Sequence, residues 1–149
     1  MSHSITNFSA YHERLAAGAQ PSETDIQALA EEGYRVIINI SPVSARNSLK
    51  NEAELVERAG MYYIHFPVDC SNLQPIHYQT FKGIMTGVTD EKTFVHCGGN
   101  IKSSNLIHMY AVLENNADEA ESLKILRKIQ QPEQKWFAYF KLMGMRGVE

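Results

Sequence analysis

Residues 93–104, which read TFVHCGGNIKSS, decide the fold that this sequence predicts. They open with a β-branched and aromatic run, pass through one cysteine and two glycines, and end with a lysine and two serines. An apolar-periodic segment follows from Asn105 to Asn115. This order predicts a buried strand, a tight turn and a helix N-terminus in succession.

The predicted turn and helix start together favour anion binding. The first turn of a helix has unpaired N–H groups and the positive end of the peptide dipoles, which attract an anion. Gly98 and Gly99 are expected to let the backbone curl around such an anion without Cβ clashes. The same field lowers the pKa of a nearby thiol and favours the thiolate, which is the nucleophilic form. Cys97 is therefore a candidate nucleophile toward phosphate, sulfur or a similar oxyanion.

Strands and helices are predicted to alternate on both sides of this stretch. The predicted strands are an edge strand around Leu15 and Ala16, then 34–40, 61–66 and 92–96. The predicted helices are one capped by Ser22 that ends at Gly33, then 52–59, 75–88, 105–115, 118–129 and 133–143. The alternation implies βαβ units, and so a three-layer α/β fold with a mostly parallel sheet of about four strands flanked by helices. Ligands bind at the carboxyl ends of the strands in such sheets, where Cys97 is expected.

Length and composition narrow the class of protein. A chain of 149 residues predicts a single domain, with residues 1–10 as a loose leader. A net charge of −3 argues against binding to nucleic acid or to an anionic membrane surface. The polar N-terminus lacks a secretory apolar segment, and only two cysteines occur, so a cytoplasmic location is expected. Without CxxC or HExxH spacing, neither a metal nor another cofactor is expected.

The segment HCGGNIKSS resembles the phosphate-binding loop of cysteine-dependent protein phosphatases, whose signature is His-Cys, five residues, then Arg and Ser or Thr. The upstream segments YRVIINI, ELVERAG and YYIHFPVD fit that family too. More narrowly, the chain is similar to bacterial dual-specificity and protein-tyrosine-phosphatase-like proteins with the loop HCxxNxRxS. The resemblance covers residues 15–136 and implies hydrolysis of a phosphomonoester, on a protein (phosphotyrosine or phosphoserine) or on a small molecule.

The sequence departs from the family signature at two points. Only four residues, 98–101, separate Cys97 from the next cation, one fewer than in the common signature, and that cation is Lys102 in place of Arg. A guanidinium clamps two phosphate oxygens with parallel hydrogen bonds, whereas an ammonium is a hydrated point charge. Loss of one preorganised donor typically costs about 10²–10³ in rate, so a weakened activity is expected.

The resemblance implies a role for each site residue. Cys97 would form a thiophosphate intermediate, Asp69 would act as the general acid, and Lys102 would hold phosphate oxygens. Ser103 or Ser104 would stabilise the thiolate as a leaving group, and His96 would order the loop through backbone hydrogen bonds. The phosphate-binding residues would be Gly98, Gly99, Asn100, Ile101, Lys102, Ser103 and Ser104. The structural alternatives are a buried cysteine, a turn-forming aspartate, a solvated lysine and an N-cap serine.

Three further residues have two interpretations each. Cys70 could form a reversible disulfide with Cys97, although a small core cysteine is the simpler reading. Arg46 could contact an anion, but a surface arginine is the better prediction. The aromatic stripe that begins at Trp136 favours packing of a helix on the sheet over a base-stacking platform.

Two other functions stay open at this point. A rhodanese-type sulfurtransferase suits the shorter cysteine-to-cation spacing and needs no general acid. A non-catalytic phosphate-binding module would retain the anion site and lack turnover.

Overall fold

The computed structural model describes residues 3–147 of the chain. Its strands are β1 (Ser9–His12), β2 (Leu15–Gly18), β3 (Val36–Asn39), β4 (Tyr62–His65) and β5 (Thr93–His96). Its helices are α1 (Glu23–Glu31), α2 (Glu52–Arg58), α3 (Pro75–Gly87), α4 (Ile101–Glu114), α5 (Glu119–Arg127) and α6 (Gln134–Leu142). These elements confirm the predicted alternation of strands and helices after the N-terminal hairpin.

The strands form one sheet in the order β1-β2-β5-β3-β4. Among the strands of residues 3–147, β1 and β2 pair antiparallel and the other pairs are parallel, so the predicted α/β fold with a mostly parallel sheet is confirmed. The described chain has five strands where about four were expected, because residues 9–12 add β1. The expectation that Leu15 and Ala16 lie in an edge strand is wrong, since β2 lies between β1 and β5.

Alternate residues of the sheet face two separate cores, as the two-residue period of a strand requires. One core contains Ala17, Ile38 and Val95 of the strands and the side chains Phe81, Leu106, Leu123 and Trp136 of α3, α4, α5 and α6. The other core contains Ala16, Ile37 and Phe94 of the strands and the side chains Ile26, Leu29 and Val56 of α1 and α2. The sheet is therefore the middle of three layers.

Residues 3–10 are packed against the sheet, so the prediction of a loose leader is wrong for them, while residues 1 and 2 lie outside the described residues. Ile5 is only 8% exposed, and its Cγ2 lies 2.7 Å from where a Cβ on Gly18 would be. The backbone N–H of Ser4 donates to Asp25 at 2.9 Å, and that of Ala19 donates to the Thr6 carbonyl at 3.0 Å. Ile5 thus fills the space that the missing side chain of Gly18 leaves open.

Two local predictions are confirmed. Ser22 caps α1, because its hydroxyl accepts from the Asp25 N–H while the Asp25 carboxylate accepts from the Ser22 N–H. The aromatic stripe is core packing: Trp136 is fully buried, and its ring meets that of Tyr139 edge-on at a centroid distance of 6.0 Å. No helix within residues 3–147 has the length and apolar character needed to cross a bilayer.

Candidate active site

The candidate site is the loop from Cys97 to Asn100, which joins β5 to α4. The loop leaves the carboxyl end of β5, next to the carboxyl end of β3, where Asn39 is aligned with His96. Cys97 is 2% exposed and packs at the edge of the larger core. The loop therefore lies at the sheet edge where parallel α/β proteins bind ligands.

Asn100 makes the turn into α4. Its φ is +68°, in the left-handed region, whereas neither Gly98 nor Gly99 has a positive φ. Asn100 therefore supplies the left-handed residue of the turn, and the expectation that the two glycines leave room for an anion without Cβ clashes stays a prediction. Asparagine is one of the few residue types that adopts this conformation readily, and the Asn100 amide holds it there by donating to the Asn7 carbonyl at 2.8 Å.

Three consecutive carbonyl groups of the loop accept hydrogen bonds from surrounding groups. The pairs are Cys97 C=O with His96 Nδ1 at 3.1 Å, Gly98 C=O with Gln20 N–H at 3.2 Å and Asn47 Nδ2 at 3.0 Å, and Gly99 C=O with Asn7 Nδ2 at 3.1 Å. In a planar trans peptide the C=O of one residue and the N–H of the next point in opposite directions. The N–H groups of Gly98 and Gly99 consequently point away from His96 and Gln20. They add to the unpaired donors of the first turn of α4.

The ring of His96 is held by a buried carboxylate. His96 is fully buried, and its Nε2 lies 2.5 Å from Oε2 of Glu52, whose side chain is 4% exposed. Because the Cys97 carbonyl has no proton to give, Nδ1 of His96 must be the donor in the bond to it. His96 therefore has one ring nitrogen bonded to the loop backbone, and its role in ordering the loop for a reaction stays a prediction.

Lys102 connects the first turn of α4 to the segment after β4. Its Nζ donates to the Val68 carbonyl at 2.6 Å. An ammonium group has three donors, so this bond leaves two for another acceptor. The structure thus brings Lys102 next to Asp69, close enough for its charge to contribute to lowering the pKa of that carboxyl.

Asp69 is exposed and accepts hydrogen bonds from a neighbouring serine. Oδ1 accepts from the Ser71 hydroxyl at 2.6 Å and from the Ser71 N–H at 2.9 Å. These bonds lower the pKa of Asp69, and the charges of Lys102 and His77 lower it further. Asp69 is a carboxylate at neutral pH in this state, whereas a general acid must hold a proton.

The two serines of the loop have different surroundings. The Ser104 hydroxyl donates to the Asn100 carbonyl and accepts from Gln130 Nε2 at 2.7 Å, so it is fully used in stabilising the start of α4. The Ser103 hydroxyl is buried and has no hydrogen-bond partner among residues 3–147. A buried hydroxyl without a partner is rare, and it leaves Ser103 as the serine available to a thiolate or a bound oxyanion.

The remaining predicted residues lie at the rim of the loop or beyond it. Ile101 is 39% exposed, and Arg46 is exposed in the connection between β3 and α2. Cys70 is half-buried, and both it and Cys97 are free thiols. Within the described residues no group of His, Cys, Asp and Glu side chains is arranged to hold a metal ion.

Sequence reasoning missed four residues that hold the loop: Glu52, Gln20, Asn47 and Asn7. Glu52 has the pattern of an ordinary acidic residue in the first turn of a helix. Asn7 lay in the expected leader and Asn47 in a polar connection. Their contacts depend on the order of strands in the sheet, which local sequence patterns do not contain.

Comparisons with known proteins agree with this architecture. A "putative phosphatase (DUF442)" of Shewanella putrefaciens CN-32 superposes with a TM-score of 0.81 at 25% identity, over 94% of this chain and 90% of that one. P. aeruginosa TpbA in complex with pTyr superposes with a TM-score of 0.75 at 12% identity, over 95% and 85% of the two chains. The chain therefore has the fold of protein-tyrosine-phosphatase-like proteins, which supports a phosphatase-type function.

The sequence relatives of this chain are much longer than the chain itself. The beta-lactamase hydrolase-like protein of Xylella fastidiosa (strain Temecula1) is 31% identical over 117 residues, which are 75% of this chain. That match covers only 27% of the relative's length, so the chain spans about a quarter of the curated relatives that it matches. No family model matches the chain.

Proposed function

We propose that the chain is a cysteine-dependent phosphatase that hydrolyses phosphomonoesters. The observation that supports this most directly is that the Cys97, Gly98 and Gly99 carbonyls all accept hydrogen bonds from groups that surround the loop. This bonding turns the N–H groups of Gly98 and Gly99 to the other side of the loop, next to the N-terminus of α4. Such a ring of donors fits the oxygens of a phosphoryl group. The phosphatase fold of the structural neighbours supports the same chemistry.

In the proposed reaction, the Cys97 thiolate attacks phosphorus in line with the leaving oxygen. The S–P bond forms while the P–O bond to the leaving group breaks, and Asp69 gives its proton to the departing oxygen. A water molecule then attacks phosphorus, the S–P bond breaks, and Asp69 takes a proton from that water. Inorganic phosphate leaves, and the Cys97 thiolate is restored.

Each remaining residue has a role in this proposal. The Gly98, Gly99 and first-turn amides bind the equatorial phosphate oxygens, and Lys102 adds a positive charge with the donors that Val68 leaves free. Ser103 donates to the Cys97 sulfur when it becomes a leaving group, since its hydroxyl has no other partner among the described residues. Substrate binding must raise the pKa of Asp69, which a nearby phosphate dianion does by repelling the carboxylate.

The test is release of phosphate from p-nitrophenyl phosphate, with mass spectrometry of the trapped protein. We expect release that vanadate inhibits, an added phosphoryl group on Cys97, and loss of both in Cys97→Ser. The matched control is Cys70→Ser, which removes the other free thiol and should keep the activity.

Two outcomes would contradict the proposal in different ways. Transfer of sulfur from thiosulfate to Cys97, followed by thiocyanate formation with cyanide, would identify a sulfurtransferase. Tight binding of inorganic phosphate without any release from the aryl phosphate would identify a non-catalytic module.

A further inference from the structure

A closed circuit of hydrogen bonds runs beneath the candidate loop. His96 Nδ1 donates to the Cys97 carbonyl, and His96 Nε2 is paired with Glu52 Oε2. Gln20 Nε2 donates to the second oxygen, Glu52 Oε1, at 3.0 Å, and the backbone N–H of Gln20 donates to the Gly98 carbonyl. The circuit therefore starts at the Cys97 carbonyl and ends at the next carbonyl along the chain.

Glu52 is the member that joins the two halves of this circuit. It is the first residue of α2, it lies on the other side of the sheet from α4, and both of its carboxylate oxygens are occupied. Its 4% exposed side chain bonds to His96 and Gln20, and each of these residues bonds in turn to a carbonyl of the loop. A carboxylate buried this deeply is costly unless each oxygen is paired, and here each one is.

We propose that Glu52 is a positioning residue of the candidate active site, which aims the Gly98 and Gly99 amides at the reacting phosphoryl group through His96 and Gln20. The inference rests on the proposed function for its consequence on turnover. Its geometric part does not, because the two anchored carbonyls fix the two following N–H groups whatever the reaction is. Without Glu52, Nε2 of His96 loses its partner, and the ring is free to choose the other tautomer. The Gln20 amide keeps only its bond to the Pro21 carbonyl at 3.0 Å and is no longer tied to α2.

Two substitutions at Glu52 separate charge from geometry. In Glu52→Gln, the new amide can donate to Nε2 of the neutral His96 ring and accept from Gln20 with its oxygen, so the circuit is kept. In Glu52→Leu, a side chain of similar length leaves Nε2 of His96 unpaired and leaves the Gln20 amide with the Pro21 carbonyl alone. Glu54→Gln is the control, because Glu54 belongs to the same helix and its side chain is 53% exposed and pairs with Arg58.

The experiment measures two quantities on the full chain in a Cys70→Ser background. The first is the rate of Cys97 alkylation by iodoacetamide, which needs no turnover, and the second is kcat and KM for p-nitrophenyl phosphate. For Glu52→Leu we expect kcat to fall about 10²-fold with a smaller change in KM, since misaimed donors act mainly on the transition state. We expect alkylation at pH 7 to slow by about tenfold, because misdirected Gly98 and Gly99 amides stabilise the negative charge of the Cys97 thiolate less when no phosphate is bound. Glu52→Gln and Glu54→Gln should stay within about threefold of the parent.

The outcomes are decisive even if the leucine variant does not fold. Gln20→Ala removes one arm of the circuit at a half-exposed residue, and it should slow alkylation and lower kcat in the same direction, by less. Folded Glu52→Leu or Gln20→Ala proteins with unchanged alkylation and unchanged kcat would overturn the proposal. If the parent protein releases no phosphate at all, the proposed function fails, while the alkylation series still decides the role of Glu52.

Discussion

At the scale of single residues, the state of Asp69 sets the conditions under which the proposed reaction runs. The Ser71 hydroxyl and N–H lower its pKa, and the charges of Lys102 and His77 lower it further. The acidic form that donates a proton is therefore present at low pH in the free protein and is lost as the pH rises through this lowered pKa. Substrates with a poor leaving group depend on that proton, whereas p-nitrophenyl phosphate does not.

Ser71→Ala tests this dependence. Removing the hydroxyl raises the pKa of Asp69 toward its ordinary value, so the fall of kcat/KM with rising pH should move to higher pH for an alkyl phosphate. The measurement is kcat/KM against pH for both substrates. The profile for p-nitrophenyl phosphate serves as the control and should keep its position. An alkyl phosphate profile that also stays in place would show that Asp69 is not the proton donor.

Some residues of the candidate site could be predicted from the local sequence pattern, and others could not. Cys97 and Lys102 lie within one stretch whose strand, turn and helix start are readable from residue types, so the loop could be predicted. The left-handed turn falls on Asn100, whose side-chain amide donates to the carbonyl of Asn7, a residue in the N-terminal segment that precedes the sheet. Glu52 could not be predicted, since its contact with His96 joins segments 44 residues apart and both are buried by tertiary packing.

At the scale of elements, the N-terminal segment packs onto β2 through one close contact. A Cβ on Gly18 would lie 2.7 Å from Ile5 Cγ2 and 3.1 Å from the Phe94 ring. The absence of a side chain at Gly18 thus lets residues 3–8 cover the sheet. The polar composition of this segment led to the prediction of a loose leader. Ile5 is one apolar residue among polar ones, so the sequence pattern did not indicate that it is buried.

Gly18→Ala should destabilise the protein by about 1–3 kcal/mol through overpacking. In Ile5→Ala the same contact is relieved, so the double variant should be more stable than the sum of the single effects predicts, by about 1 kcal/mol. Urea unfolding of the two single variants and the double variant measures this coupling. If the changes in unfolding free energy of the two single variants simply add in the double variant, the Ile5 side chain does not contact position 18.

Gly83→Ala is the control for the glycine effect. Gly83 lies within α3, and a Cβ there would meet nothing within 4 Å. Because alanine is the better helix former, this substitution should stabilise the protein by about 0.5–1 kcal/mol. A lower free energy of unfolding in Gly18→Ala and a higher one in Gly83→Ala would separate the effect of packing from that of backbone entropy.

At the scale of the whole molecule, an anion that binds the folded loop must also stabilise the fold. For a ligand at 100 times its Kd the gain is about 2.7 kcal/mol, which for a chain of this size corresponds to roughly 5–10 °C in Tm. We expect saturating vanadate to raise the Tm of the parent protein by this amount. Lys102→Met, which removes the cation and keeps a flexible apolar side chain, should show a much smaller rise at the same concentration.

The control for this experiment is sulfate-free buffer with chloride at the same ionic strength. Cys97→Ser should retain a Tm rise with inorganic phosphate, because the backbone amides remain. Equal Tm shifts in the parent and in Lys102→Met would show that Lys102 does not contribute to anion binding. Its bond to the Val68 carbonyl would then be a purely structural contact.

The general architecture was accessible from the sequence because hydrophobic periodicity and helix caps are local. Ser22 with Asp25 marked the start of α1, and the buried strand at 93–96 was visible as a β-branched and aromatic run. The position of β2 in the interior of the sheet was not accessible, because it depends on Leu15 pairing with Thr93. Such a pairing is decided by the assembled cores and not by either segment alone.

The strand order has a consequence for biosynthesis. The β1–β2 hairpin and the β3–β4 pair leave the ribosome as separate halves, because β5 lies between them and is made later. Neither half can join the other until residues 93–96 are inserted, so the strand pairings that close the sheet are the ones that join the most distant strands in sequence. The segment that unites the two halves also leads directly to Cys97, so a nascent chain completes its candidate loop only when its sheet becomes continuous.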